Sequence, residues 1–159
     1  MHTPFKSFLI RNWQPSDRQA AADLIGQVLT DYGLGWEPEG ADIDVVQVES
    51  HYQDGEFWVV EKDGVLVGTA AYHPIARGEK AVEIRKMYLL PAARGMGLGR
   101  FLLGQLEAAI AARGFKEIWL ETATVLKEAV RMYESSGYTP ETGVETTRCD
   151  KVYKKRITS

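Results

Sequence analysis

The stretch Arg94-Gly95-Met96-Gly97-Leu98-Gly99-Arg100 lies between a β-rich apolar run and a helical pattern. Alternating glycines remove the side chains that would hold a ligand off the backbone, so successive N–H groups can converge on one anion. The helix that follows adds its unpaired first-turn N–H groups and the positive end of its dipole. Arg94 and Arg100 bracket the turn with guanidinium groups suited to phosphate oxygens. The stretch reads as a cradle for a phosphorylated ligand. The competing reading is a tight strand-to-helix turn in which glycine serves shape alone.

Spacing separates the families that use such cradles. A Walker A loop requires Gly-Lys followed by Ser or Thr, whereas Gly99 is followed by Arg100 and Phe101. The dinucleotide pattern G-x-G-x-x-G fails twice, because its last position falls on Arg100 counted from Gly95 and on Leu102 counted from Gly97. The bare G-x-G-x-G of a methyltransferase lacks its preceding buried strand ending in an acid, since Pro91-Ala92-Ala93-Arg94 stands there.

The turn resembles the pyrophosphate loop of the GNAT superfamily of acetyl-CoA-dependent acyltransferases. That pattern is Arg or Gln, two residues, Gly, one residue, Gly or Ala, and it is met by Arg94, Gly97 and Gly99. Flanking elements extend the resemblance from about Glu56 onward. Met87-Tyr88-Leu89-Leu90-Pro91 stands where the family's fourth strand does, and Ala129, Tyr133, Gly137 and Tyr138 fit its A-x-x-x-Y-x-x-x-G-[FY] element. The resemblance implies an acyltransferase moving the acetyl group of acetyl-CoA, its cosubstrate, directly to a primary amine. The implied fold is α/β (α+β): a mixed, mostly antiparallel sheet of six or seven strands, flanked by about four helices. Its central strands splay apart to admit the pantetheine arm. Cofactor contacts are implied for the backbone of Met87 and Leu89 and for Arg94, Gly95, Gly97, Gly99 and Arg100, with the Met87 N–H polarising the thioester oxygen. The sequence departs from the family in one place: the Asn often found ahead of the Ala is missing, and Thr122 to Leu126 stands there.

Two catalytic residues follow from the resemblance. Tyr133 is the candidate general acid, because a phenol of reference pKa about 10 stays protonated at neutral pH and can give a proton to a departing thiolate. Its other reading is as part of a packed helix face with Ala129 and Met132. Glu83 is the candidate base. On a regular strand it shares a face with Met87 at about 13 Å, so it would act through water. Glu83 also reads as an ion-pair partner of Arg85, two residues on, and Arg85 in turn as a binder of an acceptor carboxylate. His73 is an alternative base, or else an exposed residue at a strand end, and His51 is expected to be exposed at a helix end. Cys149, the only cysteine, has no partnered His or Asp, which favours direct transfer over an acyl-cysteine. No H-x-E, C-x-x-C or H-E-x-x-H pattern occurs, so no metal is expected.

Composition bounds the rest. At 159 residues the chain has the size of a single domain spanning 1–159. A lone cysteine allows no internal disulfide, and Phe8-Leu9-Ile10 is too short for a signal or membrane segment, so a cytoplasmic location is expected. From Gln19 to Glu61 there is no Lys or Arg, but ten acidic residues including Glu37, Asp42, Asp44 and Glu49. The end of the chain is basic, with Arg148, Lys151, Lys154, Lys155 and Arg156, a cluster short enough to be a solvated strand edge. No basic stripe interleaved with aromatics points to nucleic acid. The expected partners are acetyl-CoA and an amine, with no nucleic acid or membrane, in a monomer or homodimer.

Hydrophobic periodicity orders the elements. Phe8 to Asn12 reads as the first strand, followed by a helix opened at Pro15-Ser16-Asp17 and carrying Ala21, Leu24, Ile25, Val28, Leu29 and Tyr32 inward. A second, acidic helix is predicted over Ala41 to about His51, with Ile43 and Val46, and Val45 as a further candidate, turned inward. Glu56 to Lys62 and Val65 to Tyr72 form a hairpin on Asp63-Gly64. Ala81 to Leu90 is a strand, and the helix from the glycine turn stops at Gly114. Phe115 to Glu121, Val125 to Ser135 and Thr147 to Arg156 follow as strand, helix and strand, with a short strand or loop over Tyr138 to Glu145.

In the implied fold the first two helices form one wall of the acceptor site, here the acidic block. Such a wall attracts a cationic amine, and Tyr32, Trp36 and Tyr52 offer cation–π surface. The alternative is a charged helical face with no substrate role. Rival functions are a protein lysine or N-terminal acetyltransferase, a non-catalytic acetyl-CoA-binding regulator, and a structural domain.

Overall fold

The computed structural model describes residues 1–157. In chain order the elements are β1 (His2–Phe5), β2 (Phe8–Asn12), α1 (Arg18–Asp31), α2 (Ile43–Val46), α3 (Val48–His51), β3 (Glu56–Lys62), β4 (Val65–Ile75), β5 (Ala81–Leu89), α4 (Leu98–Ala112), β6 (Glu117–Thr122), α5 (Lys127–Ser135), β7 (Thr139–Glu141) and β8 (Lys151–Arg156). The strands make one eight-stranded sheet in the order β1-β2-β3-β4-β5-β6-β8-β7. Every pairing is antiparallel except β5 with β6. The mixed sheet and its flanking helices match the expected architecture, with one strand more at the N-terminus. β1 was invisible to periodicity because its residues alternate only between exposed and half-buried.

Apolar clusters on both faces hold the sheet. On one face Leu102, Leu106 and Ile110 of α4 join Ile10, Trp58, Tyr72, Val82, Ile84, Leu120 and Tyr153. On the other, Leu24, Ile25, Val28 and Leu29 of α1 meet Val45 and the flanks of Leu66 and Tyr88. The helical spacing of these residues produces the two stripes, and their burial drives the packing at about 25 cal/mol per Å² of apolar surface. Asp63 and Gly64 both have positive φ, 53° and 79°, the geometry of a two-residue type I′ hairpin.

Three expectations are corrected. The predicted second helix is two single turns broken at Gln47, whose φ of −126° and ψ of 50° leave the helical region. Val45 and Val48 are buried there, while Val46 is exposed and Ile43 half-buried. The reason is that Asp42 and Asp44, which periodicity alone would place outside, turn inward to meet cations. The last strand begins at Lys151, not Thr147, and β8 lies between β6 and β7 instead of at an edge. Its basic residues are paired: Lys155 with Glu107, Lys154 with Glu141, and Arg156 with Glu117 and Glu79.

Two irregularities interrupt the centre of the sheet. β5 and β6 pair only from Ala81–Glu117 to Ile84–Leu120, and beyond Ile84 the strands part. In the same stretch the register of β4 with β5 slips between Thr69 and Ala71, and Lys86 sits at φ 52°. This is a bulge, and the Thr69 hydroxyl closes it by donating to the Lys86 carbonyl at 2.7 Å.

Candidate active site

The gap between β5 and β6 opens on a cleft of about 170 Å³ lined by Met87, Tyr88, Leu89, Arg94, Gly95, Gly99, Tyr133 and the edge of α1 at Val28 and Tyr32. Leu90 donates its N–H to Val67 of β4 at 2.9 Å. Because successive strand residues turn their backbone groups to opposite sides, Leu89 and Met87 direct theirs away from β4, into the gap. The cleft therefore presents to an extended ligand a strand edge that no neighbouring strand covers, with the Leu89 carbonyl already accepting from Arg94.

The glycine turn closes one end. Gly95 and Gly97 adopt left-handed φ of 78° and 82°, and Gly97 is the residue immediately before α4. A side chain at Gly99 would crowd the Met132 sulfur at 3.3 Å, so glycine there keeps α4 against α5. Arg94 is held by the Leu89 carbonyl at 2.9 Å and the Tyr32 hydroxyl at 3.2 Å, with its guanidinium over the Tyr32 ring. Tyr32 thus belongs to the glycine-turn end of the cleft. Arg100 turns outward, where its guanidinium donates to Ser135 at 2.7 Å, and neither it nor Gly97 lines the cleft.

Tyr133, from α5, is 5% exposed, and its hydroxyl approaches the Met87 sulfur at 3.7 Å. Burial pushes its phenol well above the ordinary tyrosine value, so it is protonated at any physiological pH. It packs edge-on against Tyr138, whose hydroxyl donates to Glu107 at 2.8 Å.

Past Tyr133 the gap narrows into two adjoining cavities of about 50 Å³ each, both touching Arg85, Lys86, Glu121, Arg148 and Cys149. Glu83 lines the inner one. The bulge at Lys86 corrects the expected geometry of β5. Met87 packs on the α4 and α5 side with Val82 and Ile84, whereas Glu83 lies on the opposite face. Glu83 and Met87 do not share a face, because the extra residue reverses the alternation between them. Glu83 meets Arg85 at 3.5 Å and His73 at 3.6 Å. His73 is not an exposed strand-end residue. It lies within β4, and its Nε2 is buried without a hydrogen-bond partner among the described residues.

The acidic block is also not a wall open to solvent at this point. Asp42 and Asp44 are 0% and 1% exposed. Arg148 grips Asp42 with two contacts of 2.6 Å, and Lys86 lies 3.3 Å from Asp42 and 3.1 Å from Asp44. Despite the cost of burying it, the Arg148 pair and the Lys86 charge hold the Asp42 carboxyl below the usual aspartate range. Tyr52 is buried and donates to Asp44, and Trp36 packs against the Val45 cluster; neither lines these cavities.

Residues the sequence did not single out for the site are Tyr88, which borders all three spaces, together with Lys86, Glu121 and Arg148. Tyr88 was legible as the neighbour of Met87, and burial pushes its phenol up to about 12. Arg148 was not, since it reaches the cavity from a loop far along the chain. Cys149 lies beside it, and burial, with the nearby Glu121 charge, pushes its thiol up to about 11, which removes its nucleophilic form at neutral pH. Among the described residues, no group of three or more His, Cys, Asp or Glu is placed to hold a metal ion. No helix among them is long and apolar enough to cross a membrane.

Comparison with known proteins adds an independent line. The family model described as "Acetyltransferase (GNAT) family" matches residues 23–138. The uncharacterized N-acetyltransferase YjgM of Escherichia coli K12 is 34% identical over 138 residues, covering 84% of this chain and 83% of that protein. Among solved structures, a GNAT-family acetyltransferase of Staphylococcus aureus Mu50 superposes with a TM-score of 0.87 at 15% identity, covering 95% of this chain and 99% of that one. The PaiA N-acetyltransferase of Thermoplasma acidophilum, solved in complex with coenzyme A, superposes with a TM-score of 0.73 at 18% identity, covering 95% and 99%.

Proposed function

The chain belongs to the GNAT acetyltransferase family, and from that premise we propose that it transfers the acetyl group of acetyl-CoA directly to the primary amine of a small molecule. The observation that carries this reading is the cleft between β5 and β6, which combines a strand edge at Met87 and Leu89 that no neighbouring strand covers, a glycine turn at a helix N-terminus, and a buried phenol. Coenzyme A in the T. acidophilum relative supports the same ligand here. When bound, acetyl-CoA supplies an acetyl thioester. The N–H groups of Gly95 and Gly99, with Arg94, receive the pyrophosphate, and Gly97 shapes the turn that presents them. Met87 and Leu89 pair with the pantetheine amides as a neighbouring strand would, and the Met87 N–H faces the thioester oxygen.

Glu83 takes the proton released by the attacking amine, through water, because the bulge sets it on the other face of β5. Tyr133 donates to the departing sulfur. Burial keeps the Tyr133 phenol protonated until the sulfur departs, so its proton is available as negative charge builds there. As the C–N bond forms the C–S bond breaks, and the net change is one proton lost by the amine and one gained by the thiol.

Thiol release from acetyl-CoA with product masses, measured over polyamines, amino acids and lysine peptides, tests this. A +42 Da amine product with equimolar thiol is expected, and Glu83→Gln should lower kcat by about 10²-fold. Tight acetyl-CoA binding with no product from any amine would instead favour a regulator.

A further inference from the structure

The cavities beyond Tyr133 carry an unusual balance of charge. Arg85, Lys86 and Arg148 line them and Arg77 reaches their Glu121, while four buried or largely buried carboxylates face those cations, Glu83, Asp42, Asp44 and Glu121; Glu37 and Glu145 also reach Arg148 and Arg77 but stand exposed to solvent. A cavity that is neutral in sum gains little from a ligand of net charge, since either sign leaves one charge buried without a partner.

The balance is not equally complete at each group. Arg148 uses both terminal nitrogens, on Asp42 and the Gly35 carbonyl. Lys86 donates to the Ala41 carbonyl and lies between Asp42 and Asp44. Arg77 donates to the carbonyls of Thr142 and Gly143, and Glu121 accepts the N–H groups of Glu145 and Thr146. Arg85 differs. Its one hydrogen bond among the described residues runs from Nη2 to the Ala41 carbonyl at 3.2 Å. Its two carboxylate neighbours stand off at 3.5 Å and 4.0 Å from Nε, so most of its five donors have no partner among them. Its side chain is only 26% exposed and borders both cavities. Across that ion pair, Glu83 has only His73 and Arg85 within reach among the described residues, at 3.6 Å and 3.5 Å.

We propose that the acceptor is a zwitterionic α-amino acid, its carboxylate on Arg85 and its amine beside Glu83. This rests on the acetyltransferase reading above. The ligand's nitrogen and carboxyl carbon are separated by two bonds, about 2.5 Å, a spacing that matches an Arg85–Glu83 pair whose charged groups are 3.5 Å apart. Set against that pair head to tail, the zwitterion leaves the sum of charges unchanged and satisfies the idle guanidinium fork bidentately. Arg85 borders the cavity that Met87 and Tyr133 also line, so a carboxylate held there keeps the adjacent amine in the space that opens on the thioester end of the cleft. Cavities of about 50 Å³ hold little more than such a head group.

The test measures kcat/KM for matched pairs that differ only in the carboxylate: leucine and 3-methylbutylamine, phenylalanine and phenethylamine, histidine and histamine. Leucinamide, a Leu-Gly dipeptide, spermidine and a lysine peptide complete the set. The expected result is a preference of at least about 100-fold for the acid in at least one pair, lost mainly through KM in Arg85→Gln and partly restored in Arg85→Lys. Melting temperature and the calorimetric acetyl-CoA Kd of each variant separate a lost subsite from a lost fold. Equal turnover of acid and amine, a preference that survives in folded Arg85→Gln, or acetylation confined to spermidine, the dipeptide or the lysine peptide overturns the amino-acid acceptor while leaving the acetyltransferase intact. Absence of acetyl-CoA binding by the parent protein overturns both.

Discussion

The Tyr133 hydroxyl lies 3.7 Å from the Met87 sulfur, so the α5 phenol hangs over the point at which β5 leaves β6. Replacing Tyr133 with Phe removes the hydroxyl and keeps the ring that packs on Tyr138. In Tyr133→Phe, kcat should fall by about 10²-fold or more, with the acetyl-CoA Kd changed by less than a few-fold. Steady-state kinetics beside calorimetry read both. A kcat within threefold of the parent would assign the tyrosine to packing alone.

Gly97 sits at φ 82° immediately before α4, and a methyl group added there would find its nearest neighbour, the Phe5 ring, at 3.9 Å. Space is therefore adequate, and the left-handed conformation is the obstacle. Gly97→Ala should cost about 1 kcal/mol of stability in urea unfolding. It should weaken acetyl-CoA binding by more than it weakens folding, since the turn relaxes where the phosphates dock. Unchanged affinity would mean that the turn serves shape only.

Away from the cleft, Asp17 is 6% exposed and takes two contacts from Arg11, at 2.8 Å and 2.9 Å, plus the Gln14 N–H at 2.8 Å. These bonds outweigh the cost of burial and hold its carboxyl below the usual aspartate range. A group with a depressed folded pKa stabilises fully above its unfolded value, about 3.9, and loses that contribution as pH falls through the lower folded value. Asp17→Asn should thus cost about 2 kcal/mol at pH 7, and the gap from the parent protein should shrink below about pH 4. Urea unfolding at a series of pH values follows it. A gap that stays constant to pH 2 would contradict an ionic origin.

Cys149 should react slowly. A thiol at about 11 is roughly a thousandth ionised at pH 8, against about a quarter for a free cysteine, so modification by a disulfide reagent should be about two orders of magnitude slower than for glutathione. The rate should rise steeply between pH 8 and pH 10. Fast labelling at pH 7 would place the thiol outside the cavity.

The glycine turn, the hairpin at Asp63-Gly64 and the α1 stripe were legible because each is written in local sequence: a left-handed residue, a two-residue turn, a repeat of 3.6. The gap between β5 and β6 was legible only through family resemblance, since nothing in the residues of either strand states where pairing stops. The bulge at Lys86 escaped notice because a lysine at positive φ has no compositional mark, and with it went the true faces of Glu83 and Met87. The inward turn of Asp42 and Asp44 was hidden for a related reason. Their burial is set by Lys86 and Arg148, more than forty and a hundred positions away, and an acidic run in isolation reads as solvated.

The four-pair contact between β5 and β6, the one parallel border of the sheet, joins β1–β5 to β6, β8 and β7. A ligand laid along the open part of that border bridges both sides, acting as mortar in a seam the chain leaves unfilled. Occupancy and cohesion are then one quantity. At a hundred times its Kd such a ligand adds about 2.7 kcal/mol to the folded state, so the protein's resistance to heat, proteolysis and amide exchange at the seam reports the acyl-carrier supply of its surroundings.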